Sequence, residues 1–128
     1  MQKATILVGR ILMVAIFLSA GYEKLTGYAG FNGYMQHLGL ATWLSPLVIL
    51  VELAGGLAVL LGLYTRFAAV ALAAFCVATA VLVHYHPEDQ MQMINFWKNI
   101  SMTGGFLVLA AYGAGTLSLD EKLKLKWR

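Results

Sequence analysis

The chain has 128 residues, of which 60% are hydrophobic and only 12% charged, against roughly 45–50% and 25% in soluble domains. So little polarity cannot cover a water-exposed surface, which excludes a soluble globular domain and points to one membrane domain over residues 1–128. The formal charge of +3 is informative only once mapped onto a topology, and the single cysteine, Cys76, excludes an intrachain disulfide.

A helix that crosses a bilayer needs about 20 mostly apolar residues. Four stretches qualify, residues 5–22, 43–64, 67–84 and 94–115. Each is too long for a barrel strand and none alternates with period two, so an all-α bundle of four transmembrane helices is expected. In the first, Lys3, the apolar run and Ser19–Ala20–Gly21 have the outline of a cleaved signal peptide. Arg10 interrupts that run, and a retained span is the preferred reading.

The connection over residues 23–42 carries Gly27, Gly30, Gly33 and Gly39. Phe31, Tyr34, Met35 and Leu38 fall at i, i+3, i+4 and i+7, the spacing of a short amphipathic helix lying in the outer interface. Pro46 suits the first turn of the second span, where its missing N–H costs nothing. Only Thr65–Arg66 separates the second and third spans, which predicts a tight antiparallel hairpin. Pro87 lies in the next outer loop, and the tail ends in KLKLKWR.

With four spans both termini share one side, which collects Lys3, Arg66, Lys122, Lys124, Lys126 and Arg128. The other side holds Lys24 alone among the bases, so the positive-inside rule places both termini in the cytoplasm. The basic tail then lies beside anionic headgroups as a topology anchor, with membrane lipids rather than nucleic acid as its partner. Ala54, Ala58 and Gly62, and again Ser101 and Gly105, form lines of small residues that let helices approach closely. GGLAVLLGLY after Gly55 and GGFLVLAAYG after Gly104 form a faint repeat that sets relative depth.

Arg10, Glu52 and Lys98 are ionisable residues inside apolar stretches. A charge at membrane depth costs about 2.5–3.5 kcal/mol on insertion scales, so it is paired or functional. Counting 1.5 Å per residue from the outer helix ends puts Glu52 about 13 Å below Trp43, Lys98 about 6 Å below Ile94 and Arg10 about 18 Å below Tyr22. Depth and helical face together predict a buried Arg10–Glu52–Lys98 cluster, with Glu23 and Lys24 at its outer end and Asn99 beside it. Such a cluster serves either as an ion-pair network that fixes helix register or as a pocket for a ligand with anionic or carbonyl groups. His84, His86, Met91 and Met93 are soft-metal donors in type, but interfacial residues without metal duty are the preferred reading, and no metal site is assigned. No phosphate loop or nucleophile–His–acid set is present.

The order of Arg10, Gly21 and Lys24, then Glu52 with Gly55–Gly56, then Gly62 and Arg66, then Asn95 through Asp120 resembles the DoxX family of small four-helix inner-membrane proteins. The resemblance covers nearly the whole chain. It implies a bacterial inner-membrane location and a redox association, since relatives include the DoxD subunit of an archaeal thiosulfate:quinone oxidoreductase. Others are implied to assemble with soluble redox or detoxification proteins.

The leading expectation is therefore a membrane subunit or accessory of a quinone-linked redox system, with no cofactor other than a bound quinone. Glu52 is the expected proton relay, and Arg10, Lys98, Asn99 and Lys24 the expected ligand-binding residues. A soluble redox protein and further copies of the chain are the expected partners. Two alternatives stand beside it: a non-catalytic scaffold anchoring a soluble protein, and a small proton-coupled transporter.

Overall fold

A computed structural model describes residues 1–128, and it is helical throughout, with no strand. The helices are α1 (Gln2–Thr26), α2 (Tyr28–His37), α3 (Leu44–Leu61), α4 (Thr65–His84), α5 (Gln90–Tyr112) and α6 (Leu119–Lys122). Of these, α1, α3 and α4 are long and apolar enough to cross a bilayer. Helix α5 has 23 residues but carries Gln90, Gln92, Asn95, Lys98 and Asn99 in its first half, which lowers its apolarity below theirs.

Local chemistry explains most boundaries. Pro46 sits in the first turn of α3, as expected. Asp89 caps α5, its carboxylate accepting from the N–H groups of Met91 at 3.0 Å and Gln92 at 3.3 Å. The α3–α4 link is the three residues Gly62–Tyr64, not Thr65–Arg66, and Thr65 already begins α4. Gly62 is required there. Its φ of +68° is left-handed, and a side chain would collide with Ser118 and Arg10.

Two departures from regular helix flank the end of the bundle that holds Glu52. Residues Val51–Gly55 of α3 and Ala80–His84 of α4 each wind as one π-helical turn. Such turns shift the faces that follow them, and they recur at functional sites.

Helix α1 runs one turn beyond the expected 5–22 segment, so Glu23 and Lys24 lie on its last turn rather than in a loop. It packs antiparallel on α3 through glycine. A methyl group at Gly21 would lie 2.8 Å from Leu53 Cδ2 and 3.2 Å from Glu52 Cβ, and one at Gly56 would lie 2.9 Å from Leu18 Cδ2. Gly105 of α5 faces Met13 in the same way, at 3.0 Å. Between these contacts lies a core of Val14, Phe17, Val59, Leu72, Cys76, Phe106 and Leu109. Phe17 and Phe106 meet edge to face at 5.4 Å between centroids.

Gly56→Leu should overpack the α1–α3 seam and destabilise the fold by about 1–3 kcal/mol. Gly104→Ala, which meets nothing within 4 Å, should be nearly neutral. Thermal unfolding in mild detergent distinguishes the two, and equal midpoints would refute the close approach.

Candidate functional site

The buried charges form two separate centres, not one cluster. At the end of the bundle that carries the Gly62 turn, the Arg10 guanidinium is 2% exposed. It donates to the backbone carbonyls of Ala114 (2.7 Å), Leu117 (3.0 Å) and Leu60 (2.9 Å). These oxygens lie at and beyond helix ends, where intrahelical donors run out. Asp120, equally buried, accepts from Tyr64 N–H at 2.6 Å and Thr65 N–H at 3.0 Å, and its own N–H donates to Gly62 O at 2.7 Å. Arg66 donates to the carbonyls of Ala110 (2.7 Å) and Ala111, the last turn of α5. This centre is a lock built of charged side chains on backbone groups, and it ties the tail to the α3–α4 turn.

Glu52 lies at the other centre and is 4% exposed. Its two carboxylate oxygens accept from Lys24 Nζ at 2.8 and 2.9 Å. The ammonium also stands 5.4 Å from the centroid of the Phe31 ring on α2. The expected Arg10–Glu52–Lys98 cluster is thus corrected: Glu52 pairs with Lys24, Arg10 holds carbonyls, and Lys98 is exposed without a carboxylate partner. Glu23, expected at the same outer end, is exposed on α1.

The two errors have different causes. Level ends of α1 and α3 would bring Arg10 to within about a turn of Glu52 in height. Gly21 in fact faces Glu52, which leaves Arg10 about 16 Å away along α1. Lys98 is at the right depth, seven residues from Gly105, but on the wrong face. Phe106 and Leu109 fix the buried side of α5, and that side continues through Met102 to Asn99.

The Lys24–Glu52 pair borders a cavity of about 600 Å³. All five long helices contribute to it, and 19 of its 24 lining residues are hydrophobic, so its walls suit an apolar molecule. Exposed Ile16, Tyr34, Leu47 and Leu82 among these residues show that it is open at the surface. Both π-helical turns border it, one through Val51 and Glu52 and the other through Leu82, Val83 and His84. Polar groups are few: Lys24, Glu52, His84, and Asn99 with Thr79. Asn99 Nδ2 donates to Thr79 Oγ1 at 2.8 Å, and His84 Nδ1 lies 2.8 Å from Gln92 Oε1.

Of the residues expected to serve a ligand, Glu52, Lys24 and Asn99 therefore meet at one cavity, whereas Arg10 and Lys98 do not line it. Sequence reasoning missed Thr79, a lone threonine in an apolar helix with no pattern to mark it. It also gave Asp120 and Arg66 no buried role, although both belong to the motifs quoted above.

The DoxX family profile matches residues 5–85. The chain belongs to the DoxX family. It is 43% identical over 127 residues to "Inner membrane protein YqjF" of Escherichia coli, covering 99% of this chain and 98% of that one. It is 36% identical over 128 residues to "Inner membrane protein YphA" of the same species, covering 94% and 91%. "Uncharacterized membrane protein Rv3486" of Mycobacterium tuberculosis is 33% identical over 127 residues, covering 89% of this chain and 78% of that one. No solved structure matches the chain significantly. With its three apolar spans, this DoxX member is an integral inner-membrane protein.

Arg10→Met would orphan one buried and two part-buried carbonyls and should cost about 2–3 kcal/mol of stability. Lys98→Met should change stability by less than about 0.5 kcal/mol. Unfolding midpoints of the two variants check this assignment, and a larger loss from Lys98→Met would reverse it.

Proposed function

We propose that this chain is the membrane subunit or accessory of a quinone-linked redox system in the bacterial inner membrane, and that its cavity binds the quinone. The carrying observation is an apolar cavity bordered by one buried ion pair and one amide, the composition that suits an apolar tail with a small polar headgroup. The DoxX membership supports the redox association, and the exposed apolar lining supports entry from the membrane.

In this reading α5 is a fourth span, α2 lies in the outer interface, and both termini are cytoplasmic. The basic residues gathered near the Gly62 turn and the tail support that orientation. The apolar face of α2, with Met35 buried and Phe31 and Tyr34 at the cavity, supports the interfacial placement. Lys24 and Asn99 hold the headgroup, and Glu52 relays protons, taking up each one from solvent and passing it to a headgroup oxygen as the headgroup is reduced. The electrons come from a soluble redox protein docked on the subunit.

Glu52→Gln and Lys24→Met should each lower quinone-dependent turnover of the purified complex by at least about tenfold. Lys98→Met should leave it unchanged. Wild-type turnover in Glu52→Gln would refute the proposal.

A further inference from the structure

The hydrogen-bonding capacity around the cavity is unbalanced, and the imbalance selects between ligands. Thr79 decides it. Its hydroxyl has one proton, and that proton is directed back along α4, with Phe75 O at 3.0 Å and Cys76 O at 3.1 Å. The hydroxyl oxygen must therefore accept from Asn99, which fixes the amide with its NH₂ group on Thr79. Asn99 Oδ1 is left as an acceptor without a protein partner.

Lys24 contributes little donor capacity. Two of its three N–H groups go to Glu52, and its charge is shared with the Phe31 ring. Lys24 and Asn99 together keep at most two N–H groups for a ligand, the Tyr34 hydroxyl both donates and accepts, and His84, with Nδ1 on Gln92 Oε1, presents Nε2 as a further acceptor. Glu52 and Asn99 keep about four lone-pair positions. The ion pair also makes this end of the cavity electrically neutral, so it does not attract an anionic headgroup.

We infer that the cavity selects headgroups that donate hydrogen bonds, and so binds a hydroquinone in preference to the corresponding quinone. The inference rests on the reading of the cavity as a quinone-type site. A quinone brings only carbonyl oxygens, which satisfy the few donors but set lone pairs against those of Glu52 and Asn99. A hydroquinone hydroxyl both donates and accepts. It reaches Asn99 Oδ1 or the Glu52 carboxylate without displacing Lys24. The protein therefore holds the reduced member of the couple, and Thr79 acts as a positioning residue that keeps the Asn99 oxygen available.

The test uses the full chain in phosphatidylcholine nanodiscs under anaerobic conditions, titrated calorimetrically with decylubiquinone and with decylubiquinol. The quinol should bind about tenfold more tightly. Asn99→Leu should reduce that ratio to less than about threefold, mainly by weakening the quinol. Thr79→Val, close to isosteric, should lower the ratio in the same direction through the unclamped amide. The ratio is the diagnostic readout, because a merely structural change would weaken both ligands together. Equal affinities, or tighter quinone binding, overturn the inference and leave the cavity assignment standing. Binding of neither form overturns both. If Asn99→Leu does not fold, the wild-type ratio and Thr79→Val still decide the matter.

Discussion

The glycine-mediated contact between α1 and α3 determines where every buried charge in this protein can go. Gly21 faces Glu52 and Leu53, Gly56 faces Leu18, and the Gly62 turn faces Arg10. Once that antiparallel register is fixed, Lys24 stands one helical turn above Gly21 and its ammonium donates to both carboxylate oxygens of Glu52. Arg10, some 16 Å away along the same helix, meets the carbonyls of Leu60, Ala114 and Leu117 instead. Lipid removes the hydrophobic drive for helix association, so close backbone approach at small residues carries much of this specificity.

The two polar centres answer different problems. Around Arg10, Asp120 and Arg66, charged side chains satisfy backbone groups that helix ends and a left-handed turn leave without partners. Two polar atoms of that centre, Arg10 Nε and Thr65 Oγ1, are buried without a hydrogen-bond partner. Around Glu52, by contrast, the two charges satisfy each other and leave an amide oxygen and carboxylate lone pairs beside a largely apolar cavity. Buried ion pairs contribute little net stability against apolar replacements. The Lys24–Glu52 pair is therefore better explained by what it offers at the cavity than by what it adds to the bundle.

Much of this organisation was legible in the sequence. Apolar runs near 20 residues gave the helices, Pro46 marked the start of α3, and the spacing of Phe31, Tyr34 and Met35 marked α2. Glu52 stood out because an acid inside a span is expensive. What escaped was relative height and rotation. The extra turn of α1 and the π-helical turn at Val51–Gly55 belong to packing, not to local pattern. An error of one residue rotates a helix by about 100°, and that separates exposed Lys98 from cavity-lining Asn99. The role of Asp120 depends on a turn 56 residues away, which no local signal encodes.

Native mass spectrometry of the protein released gently from its own membranes tests the central claim most directly, because it asks what occupies the cavity. The account predicts a prenylated quinone or hydroquinone retained on the wild-type chain and lost when Ala78→Trp fills the cavity wall. Retention of the same molecule at the same occupancy by Ala78→Trp, or a wild-type chain that carries only bilayer phospholipid, would contradict it.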